Sequence, residues 1–225
     1  MNDALAREVE KGAAIIRQGG LVAFPTETHY GLAVNPYDHM ALSRLFKVKN
    51  RDFDKPILTL IQDKSRISLL ASHIPRSYLP LMRTFWPGPL TLIFDGISTL
   101  DPLLTGNTQT VGIRISSNPV ANALLTAVGK PITATSANVS GRPSTVNPRE
   151  VEAQLGKNVD LIIDGGETAG GRSSTIVSNC AGQLKLIREG VISFRDIIKV
   201  HNQALSCIGM AWKVEGRRLK VESRR

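Results

Sequence analysis

Short apolar segments, each followed at once by a loop rich in hydroxyl, amide and charged residues, recur along this chain. Leu21–Phe24 leads into the polar run Pro25–Tyr30, and Ile132–Ala134 leads into Thr135–Ser144. Segments with apolar residues at helical spacing lie before and between these strand-like segments; residues 3–18 are the first of them. Strands and helices that alternate in this way predict an α/β fold, with helices packed on a twisted sheet.

The same pattern places the individual elements. Strands are predicted at Leu21–Phe24, Ile57–Ile61, Leu90–Phe94, Val111–Ile115, Ile132–Ala134, Leu161–Asp164, Ser174–Val177 and Leu184–Arg188. Helices are predicted at residues 3–18, from a cap at Asp38 through Phe46, and at Arg66–Ala71, Ala121–Val128 and Arg149–Leu155. We find neither an internal repeat nor a low-complexity linker, so we predict one domain over residues 1–195 and a basic tail over residues 196–225.

The formal charge of +9 is unevenly distributed. Residues 199–225 carry seven Lys or Arg against two Glu, which accounts for +5 of it. Two interpretations stay open for this tail: a weakly ordered, solubilising end, or an electrostatic contact with RNA or another polyanion. Charge alone does not separate them.

Several function classes are disfavoured by composition and motifs. The two cysteines, Cys180 and Cys207, form no CxxC pair, which argues against a zinc site and makes a structural disulfide improbable. The N-terminus lacks the apolar core of a signal peptide, and no apolar run approaches the roughly 20 residues of a membrane span. We therefore expect a cytoplasmic protein. The chain contains no GxxxxGK(S/T), GxGxxG, GxSxG or HExxH motif.

Four polar segments remain as candidates for a site, because ligands of open α/β sheets collect at strand ends. They are Gly20–Gly31, Lys47–Pro56, Thr135–Ser144 and Gly170–Val177. Taken singly, each has a structural interpretation as well: hydroxyl caps in a turn, a solvated charged loop, or glycines that permit a tight bend.

Their combination, order and spacing are more specific, and resemble the YrdC-like family of threonylcarbamoyl-AMP synthases. The resemblance extends from about Gly19 to Ser193. It is carried, in order, by Gly20–Gly31, the KxR element Lys49-Asn50-Arg51, Phe85–Thr91, Val111–Arg114, the SxN element Ser136-Ala137-Asn138, Ser140-Gly141, Ser174–Val177 and Arg188–Gly190.

The resemblance implies a single-domain bacterial type of the family: a twisted mixed β-sheet flanked by helices (α/β, or α+β in some schemes), with a basic concave face. It implies a nucleotidyltransferase that joins L-threonine, bicarbonate or CO2, and ATP into threonylcarbamoyl-AMP and pyrophosphate. Mg²⁺ is expected to accompany ATP, without a metal site of the protein's own. A separate complex would then transfer the threonylcarbamoyl group to adenosine 37 of tRNA.

The resemblance also assigns residues. Those implied in catalysis are Lys49, Arg51, Ser136 and Asn138. Those implied in ATP binding are Arg51, Lys55, Thr110, Ser136, Ser144 and Arg188. Those implied in threonine binding are Thr28, Leu60, Arg114, Ala134 and Ser174. A guanidinium can bind a carboxylate through two parallel hydrogen bonds, which suits Arg114 to the substrate carboxylate.

Three positions depart from the family pattern. His29 replaces a common valine, Leu60 stands where many members have a threonine-contacting histidine, and Glu189 replaces the proline after Arg188. These departures leave open a paralogue with altered or lost activity. An RNA-binding or ribosome-assembly module that uses the basic face and tail is the alternative of a different class.

Overall fold

The computed structural model describes residues 1–180 and 182–206. Its α-helices are α1 (Asp3–Arg17), α2 (His39–Lys49), α3 (Tyr78–Phe85), α4 (Pro102–Thr105), α5 (Pro119–Val128), α6 (Pro148–Leu155) and α7 (residues 194–206). Short 3₁₀ turns occupy Lys64–Leu69 and Gly156–Asn158. The strands are β1 (Val22–Pro25), β2 (Tyr30–Ala33), β3 (Thr59–Leu60), β4 (Leu90–Asp95), β5 (Thr110–Arg114), β6 (Ile132–Thr133), β7 (Thr135–Ser136), β8 (Leu161–Ile162), β9 (Thr175–Cys180) and β10 (Gln183–Arg188).

Side chains that cap the helix ends determine where most helices begin. Asn2, Asp38 and Asn118 each accept a hydrogen bond from backbone N–H groups of the first turn of α1, α2 and α5. Pro119 then occupies the first turn of α5, where its missing N–H costs no helical hydrogen bond.

The strands form two mixed sheets where the sequence predicts one. The first has the order β7-β2-β1-β8 and the second the order β10-β9-β4-β5-β3-β6. The chain passes from one sheet to the other at Ala134, between β6 and β7, and the Ala134 N–H donates to the Leu58 carbonyl at 2.8 Å. The predicted strand Ile132–Ala134 is therefore split by a change of sheet.

Two apolar clusters hold the helices on these sheets. One joins α1 and α5 to β1 through side chains such as Ala13, Phe24 and Leu124, all fully buried. The larger cluster joins α2 and α3 to both sheets and includes the buried side chains of Phe46, Tyr78 and Phe94. Tyr78 and Phe94 meet edge to face with ring centroids 5.1 Å apart.

The helix α7 continues across the predicted domain boundary at residue 195. Its Ile197 is fully buried in the larger cluster. Most of the predicted tail, residues 207–225, lies outside the described residues. None of the helices in the described part of the chain has the length and apolar character that a membrane crossing requires.

Candidate active site

A cavity of about 320 Å³ lies where the two sheets meet. Its size falls at the lower end of the range for small-molecule sites. It is lined by Thr26, Thr28, His29, Tyr30, Gly31, Arg51, Lys55, Pro56, Leu58, Ile93, Arg114, Ala134, Thr135, Ser136, Ser173, Ser174, Ile176, Ile187 and Arg188. These residues include four cations and no carboxylate, so the cavity wall is suited to anionic ligands.

The turn between β1 and β2 forms one wall through a hydroxyl-centred hydrogen-bond network. The Thr26 hydroxyl donates to the His29 carbonyl at 2.7 Å and accepts from the Thr28 N–H at 3.2 Å. The Thr28 carbonyl accepts from the Gly170 N–H at 2.8 Å. This network fixes Thr28 at the cavity wall. Burial, and secondarily the charge of Arg188, lower the pKa of His29, so its imidazole is neutral at pH 7.

Arg114 ends β5 and is the most buried cation at the cavity, with a side chain only 5% exposed. Its Nη1 donates to Glu27 Oε1, and the Ser116 hydroxyl donates to Glu27 Oε2. Burial, and then the nearby charge of Arg188, lower the pKa of Arg114 to about 10. The guanidinium therefore stays charged at neutral pH.

Ser174 and Arg188 meet at the ends of β9 and β10. The Arg188 Nη2 donates to the Ser174 carbonyl at 2.8 Å, and its Nε to the same oxygen at 3.2 Å. The Ser174 hydroxyl lies 3.0 Å from the Thr91 hydroxyl on β4. Arg188 is thereby held in one orientation, and burial lowers its pKa.

Arg51 and Lys55 come from the loop after α2. Asn50 ends that helix with a left-handed backbone (φ 48°), a conformation that asparagine tolerates better than most residues. The Arg51 Nη2 then donates to the Pro56 carbonyl at 2.9 Å. Lys55 pairs with Asp52 at 2.5 Å, an exposed pair that contributes little stability.

Lys49 lies behind the cavity wall and is 1% exposed. Its Nζ donates to the carbonyls of Ser136 and Asn138, the latter at 2.6 Å. Burial, and then the charge of Arg51, lower its pKa to about 7. Lys49 thus ties the end of α2 to strand β7 and to the residues that follow it.

Of the residues assigned from the sequence, eight line the cavity: Thr28, Arg51, Lys55, Arg114, Ala134, Ser136, Ser174 and Arg188. They come from six separate segments that the fold brings together. The roles assigned to them stay predictions.

Five assigned residues do not line it. Lys49 and Asn138 are buried and bonded to each other through Nζ. Ser144 is half-buried outside the wall. Thr110 begins β5, four residues from Arg114, or about 13 Å along the strand.

Leu60 is the clearest difference from the sequence-based assignment. It is fully buried among apolar side chains that include Leu124 and Ile132, so it does not reach the cavity. Leu58 lines the cavity instead. No sequence signal singles out Leu58, because both leucines lie in one apolar run.

Glu27 is the residue whose role sequence analysis left unassigned. Its position between Thr26 and Thr28 draws attention to it, but its contacts to Arg114 and Ser116 span 87 and 89 positions of the chain. The apolar wall residues Ile93 and Ile187 lie outside the four candidate segments, so the sequence does not mark them as parts of a site.

A comparison with known proteins identifies the family to which the chain belongs. The sequence model of a family described as "Telomere recombination" (Sua5/YciO/YrdC) matches residues 14–190. The chain belongs to the Sua5/YciO/YrdC family. The predicted resemblance and the mixed α/β fold are thereby confirmed.

Individual members of the Sua5/YciO/YrdC family match most of the chain. A threonylcarbamoyl-AMP synthase of Pyrococcus abyssi is 37% identical over 193 residues, covering 86% of this chain and 57% of that protein. One of Vibrio cholerae is 30% identical over 189 residues, covering 83% of this chain and 100% of that protein. A crystal structure of P. abyssi Sua5 complexed with L-threonine superposes with a TM-score of 0.84 at 37% identity, over 87% of this chain and 57% of that one.

The chain therefore spans little more than half of the P. abyssi relative, and a similar share, 55%, of a threonylcarbamoyl-AMP synthase of Bacillus subtilis.

Proposed function

We propose that this chain is an L-threonylcarbamoyladenylate synthase, a nucleotidyltransferase that forms threonylcarbamoyl-AMP and pyrophosphate from L-threonine, bicarbonate or CO2, and ATP. One observation carries the proposal: Arg51, Lys55, Arg114 and Arg188 converge on a single small cavity together with the hydroxyl groups of Thr28 and Ser174. The names of the relatives from P. abyssi and V. cholerae support the same activity.

The chemistry needs positioning more than a protein nucleophile. The threonine amine captures bicarbonate to give an N-carboxylate and water. An oxygen of that carboxylate attacks the α-phosphorus of ATP and expels pyrophosphate. The threonine carboxylate, the N-carboxylate and the triphosphate are all anionic, so the cavity must hold groups that repel one another. Alignment of bound reactants can lower a barrier by roughly 7–11 kcal/mol.

The cations that line the cavity differ in how far their side chains are buried. Arg114 is the most buried and lines the same cavity as Thr28 and Ser174, a set that fits the carboxylate and the polar end of threonine. Lys55 is exposed and Arg51 half-buried, so we place the phosphates of ATP at these two cations. Cations at that place would offset the charge that grows on the leaving pyrophosphate.

Magnesium enters the proposal with ATP, held mainly by phosphate oxygens and water. In the described part of the chain, no three His, Cys, Asp or Glu side chains cluster closely enough to form a metal cage of the protein's own.

The product would be an intermediate for N6-threonylcarbamoyladenosine at position 37 of tRNA, with the transfer carried out by a separate complex in the cytoplasm. The RNA-binding alternative is less well supported, because four cations converge on one small cavity that also presents the hydroxyl groups of Thr28 and Ser174.

The proposal is tested by incubating the protein with ATP, Mg²⁺, bicarbonate and labelled threonine. We expect pyrophosphate and a labelled adenylate, and we expect pyrophosphate release to require both threonine and bicarbonate. Equal release when either is omitted would refute the mechanism. Salt-sensitive RNA binding without threonine-dependent turnover would favour the RNA-binding alternative.

A further inference from the structure

Glu27 contacts one residue of the cavity wall, Arg114, and one residue outside it, Ser116. It is not among the residues that line the cavity, and its side chain is 12% exposed. One carboxylate oxygen accepts from Arg114 Nη1 and the other accepts from the Ser116 hydroxyl. Both oxygens of Glu27 are therefore engaged by groups of the protein.

The guanidinium of Arg114 is only partly satisfied by this pair. Glu27 engages Nη1, whereas Nε is buried without a hydrogen-bond partner among the described residues. No hydrogen bond from Nη2 to another described residue is formed either. Nε and Nη2 make up one edge of the guanidinium, the geometry that binds a carboxylate through two parallel hydrogen bonds.

We infer that Glu27 and Ser116 are positioning residues that fix Arg114 through Nη1 and leave its Nε–Nη2 edge for the carboxylate of an α-amino acid. This inference rests on the proposed function and deepens it, because it says which atoms of Arg114 recognise threonine. Glu27 also lowers the cost of burying the Arg114 charge when no substrate is bound, since an unpaired buried cation is strongly unfavourable. The inference does not require Glu27 itself to contact the substrate.

A double-mutant cycle separates action through Arg114 from direct contact. Threonine affinity is measured by calorimetric titration for the wild type, Glu27→Gln, Arg114→Lys and the double variant. We expect Glu27→Gln to weaken threonine binding about tenfold in the wild-type background and less than about twofold when Lys occupies position 114. Residues that act through one another show such non-additivity.

Two further measurements keep the test independent of folding. Ser116→Ala leaves the Glu27 charge in place and frees one oxygen, so it should weaken threonine binding by roughly threefold. Binding of a non-hydrolysable ATP analogue should stay within about twofold of wild type in every variant. Glu152→Gln, an exposed carboxylate on α6, is the matched control and should change neither affinity.

An equal loss of threonine affinity in both backgrounds would overturn the inference, because Glu27 would then contact threonine itself. Unchanged affinity in Glu27→Gln would overturn it too, as would a parallel loss of ATP-analogue binding, the sign of general damage to the site. If the wild type binds the ATP analogue but not threonine, the proposed function fails instead, and that result is visible before any variant is made.

Discussion

At the scale of single residues, the cations near the cavity differ in what surrounds them, and their expected effects differ accordingly. Arg114 is buried and held by Glu27, whereas Lys55 is exposed and paired with Asp52. Lys49 is buried and donates to backbone carbonyls, without lining the cavity. Sequence motifs group Lys49 with Arg51, but the structure separates the lysine as an internal support from the arginine on the wall.

Substitution of Arg114 tests the proposed threonine half of the site. Arg114→Lys keeps the charge and loses the two-pronged geometry, so threonine affinity should fall at least about tenfold, or roughly 1.4 kcal/mol. Binding of an ATP analogue should change little. Calorimetry with each ligand measures both, and Arg149→Lys on the exposed face of α6 serves as control. A variant that loses ATP affinity and keeps threonine affinity would show that the cavity is divided differently.

Burial of Lys49 predicts a pH dependence of stability. Its folded-state pKa is about 7, below the value of 10.5 for an exposed lysine. Between these values the unfolded chain binds the extra proton, so the free energy of unfolding should rise with pH. The contribution is at most about 1.4 kcal/mol per pH unit and is absent below pH 7.

Urea unfolding of the wild type and Lys49→Met at pH 7, 8 and 9 measures this slope. The variant should show a shallower rise, because it lacks the titrating group. It should also be less stable at each pH, since the carbonyls of Ser136 and Asn138 lose a donor. Parallel slopes in the two proteins would mean that Lys49 does not titrate in this range.

At the scale of elements, the sequence is informative wherever a segment carries its own signal. Helix α2 begins at its predicted cap, Asp38, because Asp38 accepts from the N–H groups of Met40 and Ala41. Strand β4 follows directly from its run of apolar residues. Strand β2 was not predicted, because its residues follow a polar loop and are fully buried only through pairing with β1 and β7.

The residues of the site also divide into those marked by a local sequence signal and those placed by contacts with distant parts of the chain. The four polar segments singled out in the sequence contain most of the residues that line the cavity, so the candidate residues could be found by motif. The change of sheet at Ala134 and the burial of Leu60 depend on contacts with distant strands and helices. No local pattern encodes such contacts, and the helix α3 was missed although it holds the fully buried Tyr78.

The loop after α2 has a prediction of its own. Arg51→Ala should weaken ATP binding or lower turnover by about 10- to 100-fold, because a lost charge-assisted hydrogen bond costs roughly 1.5–3 kcal/mol. The fold should persist, since α2 ends before Arg51. Steady-state kinetics with varied ATP measure the effect, and Lys47→Ala, an exposed cation of the same helix, should behave like wild type. Unaltered kinetics in Arg51→Ala would mark this residue as a solvated cation.

At the scale of the whole molecule, the cavity depends on both sheets, and the second sheet depends on packing that extends to α7. Every residue that lines the cavity precedes residue 189, yet Ile197 belongs to the cluster that also contains Trp86 and Val177. The domain that we propose from the sequence therefore needs support from residues beyond 195.

Two truncations test this arrangement. A chain ending at residue 206 should unfold at the same temperature as the full chain, because it retains α7 up to its last described residue. Its threonine-dependent turnover should stay within about twofold of that of the full chain. A chain ending at 195 removes Ile197 and should lose stability by at least the 2–5 kcal/mol typical of truncating a buried isoleucine. Thermal unfolding and pyrophosphate release measure the two effects.

The point variant Ile197→Ala, compared with Lys199→Ala at an exposed position of the same helix, isolates the packing contribution. If the chain ending at 195 unfolds at the same temperature as the full chain, α7 is dispensable and the domain ends where the sequence alone places it.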